Sequence, residues 1–152
     1  MQAEPRRIFI GAIIGFIYGS ILAVLALAAM GAGHGTWIPF LISSAPLGVL
    51  TRFGDIGTFI AIFGGAPIIW AIFGALDALP ARPRAIRTIQ ILILSHYLSG
   101  LVLVFSAEFD EFNYMLRLLR IFPAVPVIWA IIYLAGQVVL WRRTIRRSQG
   151  VR

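Results

Sequence analysis

GAGHGTWIPFLISSAPLGVLTRFGDIG, residues 31–57, is the stretch on which the reading of this chain turns. It is too apolar for an ordinary loop, and Pro39, Pro46 and repeated glycines break it too often for a membrane span. Its apolar core, Trp37 to Leu50, falls short of the roughly 20 residues needed to cross a bilayer. The runs on either side are long enough, so the status of this insert decides how many times the chain crosses.

Composition makes lipid the solvent for those runs. Of 152 residues, 60% are hydrophobic and 12% charged, and the mean hydropathy is +0.92. Soluble domains carry roughly 45–50% apolar and about 25% charged residues. A first span covers residues 8–30, a second 58–79, a third 88–106 and a fourth 121–141. Pro80 and Pro83 end the second, because proline blocks helix continuation. Pro123 and Pro126 open the fourth, where a missing N–H costs least.

The pattern predicts an all-α integral membrane protein: a four-transmembrane-helix bundle in one polytopic domain over residues 1–152. The first apolar run exceeds the roughly 7–15 residues of a signal-peptide core. Pro5-Arg6-Arg7-Ile8-Phe9-Ile10 is similar to a twin-arginine export signal, but more membrane follows it, which favours an uncleaved first helix.

Arginine placement orients the set. Arg6 and Arg7 precede span one, Arg82, Arg84 and Arg87 lie between spans two and three, and a basic tail, 142–152, follows span four. Positive residues mark the cytoplasmic side, so both termini are expected there, in a bacterial inner membrane. The formal charge of +7 is assigned to anionic lipid headgroups at that face, worth about 1 kcal/mol per basic residue. No basic aromatic platform for nucleic acid accompanies it.

The insert then belongs to the outer face. Either 37–50 is re-entrant, dipping into the bundle where protein covers its irregular backbone, or it is a short interfacial helix. Trp37 favours the interfacial reading, since tryptophan prefers headgroup depth. His34, Ser43, Ser44, Arg52 and Asp55 are candidates for a polar site on that face; the competing reading makes His34 an ordinary turn histidine behind a Gly31 helix cap. Residues 107–120, AEFDEFNYMLRLLR, carry Phe109, Phe112, Leu116 and Leu119 at helical spacing and predict an amphipathic interfacial helix.

Inside the bundle, Gly11, Gly15 and Gly19 form two overlapping GxxxG units, a smooth face for another helix of this chain or of a partner. His96 is the histidine near the middle of a span. An ionisable group at that depth is a functional candidate: it could be an axial ligand to chlorophyll magnesium or haem iron, or bond to Tyr18, Tyr133 or Gln137. A bis-histidine haem is excluded, because His34 lies at the outer surface. Trp70 and Trp129 are expected to be buried and to need an N–H partner or a flat neighbour. They sit in matching hexapeptides, Pro67–Ile72 and Pro126–Ile131, which suggest a duplicated unit. Asp77, at the end of span two, is expected to pair with Arg82, Arg84 or Arg87.

No catalytic residue is assigned. HExxH, glycine-flanked serine, paired intramembrane carboxylates and a phosphate-binding glycine loop are missing from the sequence, and with no cysteine there is no thiolate chemistry or metal ligation by sulfur. The resulting expectation is a small accessory or scaffold subunit, bound to partner membrane subunits or to further copies of itself through the glycine face and outer elements. One alternative is a pigment- or haem-contacting subunit acting through His96; another is a small-solute transporter or channel component working as an oligomer.

Overall fold

The structure is a computed structural model and describes residues 5–31, 36–80, 83–106, 113, 117 and 124–149. Four helices are long and apolar enough to cross a membrane. They are α1 (Pro5–Met30), α3 (Gly54–Asp77), α4 (Pro83–Phe105) and α5 (Ala124–Gln149), with a short α2 (Ile38–Ser44) between the first two. The chain is thus an integral membrane protein of the all-α class. His34 lies outside the described residues, and so does the amphipathic stretch 107–120 apart from Asn113 and Arg117, both helical.

The tightest seam is α1 on α3. A Cβ added at Gly11 would lie 2.3 Å from the Gly74 carbonyl oxygen, one at Gly15 would lie 1.9 Å from that of Trp70, and one at Gly19 2.4 Å from that of Ala66. The GxxxG face is therefore spent within the chain, on backbone-to-backbone contact that only glycine permits. The outward faces of both helices keep large apolar side chains exposed, among them Phe16, Ile17, Phe59 and Phe63, as lipid-facing positions require.

The insert is re-entrant, which corrects the expectation of an interfacial helix. Gly31, with φ +51°, stops α1 in the left-handed conformation common after helix ends, and Thr36 N–H returns to Ala29 O at 2.8 Å. Trp37 stays 37% exposed, while Phe40, Ser43 and Ser44 are at most 3% exposed. α2 touches all four long helices. The chain turns at Ala45–Pro46, a cis peptide bond, and climbs back as a 3₁₀ segment, Leu47–Phe53. Gly54, with φ +80°, reverses it again into α3. Two glycines on the long helices make the seat: a Cβ at Gly65 would come within 2.6 Å of Ser44 Cβ, and one at Gly100 within 3.2 Å of Ile42 Cα. The preference of tryptophan for headgroup depth says nothing of these gaps.

At the opposite end of the bundle, α5 runs through the basic tail as far as Gln149. Arg143 and Arg147, four apart and so on one helix face, both reach Asp77, at 3.0 Å to Oδ2 and 3.3 Å to Oδ1. The described partners of Asp77 thus come from α5, beyond the turn that the sequence suggested. The carboxylate, which opposes the dipole at the end of α3, is offset by cations that suit the end of α5. This clasp also tests the repeat. Trp70 lies seven residues before Asp77, whereas Trp129 lies 14 before Arg143 at the same level. The two hexapeptides therefore sit about 10 Å apart in depth, which does not fit a duplicated unit in parallel register.

Candidate functional site

The tip of the re-entrant hairpin ends against polar groups from helices far along the chain. His96 Nδ1 lies 2.7 Å from Ala45 O. A carbonyl only accepts, so Nδ1 carries the proton, and in the neutral imidazole Nε2 is left as an acceptor. Trp129 Nε1 donates to Ser43 Oγ at 2.8 Å, and Ser44 Oγ donates to Phe40 O at 2.8 Å. These bonds account for Ser43, Ser44 and the buried carbonyl of Ala45 at the tip, which would otherwise be costly in hydrocarbon.

Around that tip the rings form a continuous wall. His96 meets Phe73 at 5.6 Å and Tyr133 at 6.0 Å between centroids; Trp70 meets Tyr133 at 6.2 Å and Phe73 at 5.7 Å. Trp129 stacks on Tyr133 at 5.0 Å. His96, Trp70 and Tyr133 are each at most 4% exposed. Yet Trp70 Nε1 and His96 Nε2 are buried with no hydrogen-bond partner in the protein, and the Tyr133 hydroxyl and the Gln137 amide are buried with no partner there but each other. Gln137, one turn beyond Tyr133 on α5, also lines a groove between α4 and α5 of about 360 Å³ with Ile93, Tyr97, Trp141 and Arg142. A second cavity, about 270 Å³, lies beside His96 between α3 and α4 and is bounded by Pro46, Phe73, Ser95 and Ser99.

The sequence-derived candidates divide accordingly. His96, Trp70 and Trp129 meet in one neighbourhood, with Ser43 added from the insert. The outer-face polar group does not assemble: Ser43 and Ser44 are buried at the hairpin tip, whereas Arg52 and Asp55 are exposed. Tyr133 and Gln137 were legible only as possible partners of His96, and they are instead further members of the same cluster.

The fit of a macrocycle at His96 is poor. Metal–imidazole bonds are about 2.0–2.1 Å long, so a planar ring must come into direct contact with Nε2. Nε2 is buried with Phe73 and Tyr133 packed on the ring, so this packing leaves no room for a large planar group in direct contact with it, whereas a small solute can approach from the adjoining cavity of about 270 Å³. The wall carries no charged side chain, and its polar atoms comprise donors (Trp70, Gln137), acceptors (His96, Gln137) and one hydroxyl that does both. Comparison with known protein families, with curated proteins and with solved structures finds no match for this chain.

Proposed function

We propose that the chain is a small-solute permeation or transport component whose central cluster, Trp70, His96, Tyr133 and Gln137, takes up a neutral molecule carrying both hydrogen-bond donors and acceptors. The observation that carries this reading is a buried polar set in which Trp70 Nε1 and His96 Nε2 have no partner in the protein and Tyr133 and Gln137 have only one another. Each such atom costs about 1–3 kcal/mol when left unmade, and native stabilities are only about 5–15 kcal/mol. Retaining several under-used polar groups in one neighbourhood is a large sacrifice unless something in the working protein meets them. A charged solute would need a counter-charge in the wall, so the preferred class is neutral: water, amides, polyols. The re-entrant hairpin supports the reading too, since irregular backbone at membrane depth belongs where protein or a cavity covers it.

Purified protein in liposomes tests it by stopped-flow light scattering under osmotic gradients of urea or glycerol. Volume change should be faster than in protein-free vesicles for water or at least one solute, and Tyr133→Phe and Gln137→Leu should slow it several-fold. Because these two groups have only one another as partners in the protein, each variant should lower the melting temperature only modestly while the rate falls several-fold. Rates equal to those of protein-free vesicles would sink the proposal.

The accessory-subunit reading loses its main surface, because α3 covers the glycine face. A different feature favours it: the α4–α5 groove, where the Gln137 amide could be met by a polar residue of a partner's transmembrane helix, the common glue between helices in lipid. On that reading, mild solubilisation followed by native electrophoresis shows the chain comigrating with larger membrane proteins, and Gln137→Leu releases it. A single band at the monomer position would count against it.

A further inference from the structure

We infer that the groove between α1, α3 and α5 is a binding site for an anionic phospholipid, one acyl chain lying in the groove and the headgroup held by Arg143. This site shares Trp70 with the central cluster but does not depend on the function proposed for it.

The groove has a volume of about 440 Å³. It is closed at one end, where the Tyr18 hydroxyl donates to Ile132 O and Tyr18 and Trp70 pack at 4.6 Å between ring centroids. There a Cβ on Gly136 would lie 2.4 Å from the Tyr18 hydroxyl and 2.7 Å from Trp70 Cη2. From that pin the groove runs along α1 and α5 to Gly11 and Arg143. Glycines keep the walls smooth, Gly11 and Gly15 on α1 and Gly74 on α3, so no side chain fills the gap. Seven residues separate Tyr18 from Gly11, and seven separate Gly136 from Arg143. The trough is therefore about 10 Å long, room for the part of an acyl chain nearest its headgroup and much shorter than the roughly 20-residue span of a partner helix.

Charge at the mouth selects the headgroup. Asp77 is shared by two arginines, which leaves the pair net positive, and Arg143 keeps 61% of its side chain exposed despite that bond, against 29% for Arg147. Arg142 and Arg146 add to the field on the same two turns of α5. A guanidinium presents a planar fork suited to phosphate. An apolar trough ending at such a group is complementary to a phosphodiester joined to a hydrocarbon chain, and a zwitterionic lipid would gain less from it.

Trp70, 4% exposed and lining the trough, is a built-in reporter. The full chain is placed in mixed vesicles of phosphatidylglycerol and phosphatidylcholine, with bromine on the acyl chains of one lipid at a time, and the fluorescence lost to bromine quenching is compared between wild type and Trp70→Phe. The difference isolates the Trp70 contribution. We expect it to be quenched by brominated phosphatidylglycerol in preference to brominated phosphatidylcholine, on the order of fivefold for one basic contact. Arg143→Gln should abolish the preference while Arg147 still holds Asp77, and Ala135→Phe, which fills the trough, should abolish the quenching itself. Equal quenching by the two lipids, or none at Trp70, overturns the inference. Quenching by brominated stearate but not by brominated phosphatidylglycerol overturns it too, and would assign the trough to a free fatty acid.

Discussion

Gly15→Val is expected to prevent α1 from seating on α3 and to leave little monodisperse protein after solubilisation. The Cβ alone would lie 1.9 Å from the carbonyl oxygen of Trp70 and 2.7 Å from its carbonyl carbon, and both atoms belong to a helix backbone with no rotamer to change. Overpacked cores usually lose about 1–3 kcal/mol when side chains can move aside. Here the helices themselves must separate, so the loss should exceed that range and spread along the seam through Gly11, Gly19 and Gly74. Gly64→Ala is the matched control. Its Cβ would meet only the Ile68 Cδ1 tip at 3.2 Å and an Ile60 methyl at 3.9 Å, and replacing glycine in a helix contributes up to about 1 kcal/mol of propensity. Thermal unfolding in detergent should rank Gly64→Ala at or above wild type and Gly15→Val far below. A Gly15→Val melting point equal to wild type would show that the seam is looser than its geometry requires.

The second large effect is expected at His96. In His96→Leu the Ala45 carbonyl keeps its burial and loses its donor, at about 1–3 kcal/mol. The ring's edge contact with Phe73 goes as well. The damage should be local, because the carbonyl belongs to the hairpin and the long helices retain their own seams. Hydrogen exchange reads this directly: amides of Ile38–Ser44 should exchange roughly 10- to 100-fold faster in the variant, while those of α1 and α3 change little. Tyr133→Phe, which removes a hydroxyl that makes no bond to the hairpin, should leave the same amides protected. Unchanged exchange in Ile38–Ser44 after His96→Leu would mean that the tip is not held by this bond.

Much of this architecture is legible in the sequence, for a physical reason. Lipid demands some 20 apolar residues per crossing, and that demand is written residue by residue along the chain. The four crossings are read correctly, and His96, Trp70 and Trp129 stand out because polar or indole groups in such runs need partners. Depth and partnership are not written that way. Whether Trp37–Leu50 lies flat or descends depends on Gly65 and Gly100, two gaps on other helices that look like ordinary small residues in isolation. The basic tail reads as a solvated anchor because arginines are common at membrane edges; that two of them share a helix face with Asp77 opposite is visible only once α3 and α5 are side by side. GxxxG likewise announces close helix contact and leaves the contacting helix unnamed.

The hairpin's anchors have a consequence for how the protein is made. Ala45 is held by a residue 51 positions later, and Ser43 by one 86 positions later. When residues 31–57 leave the ribosome, the histidine and the indole that hold them do not yet exist, and a seven-residue helix is too short to stay in lipid by itself. The hairpin's contacts with α1 and α3 do not need them, but these two anchors close only when α4 and α5 arrive. The tip of a segment synthesised near the beginning is thus fastened by residues that come last.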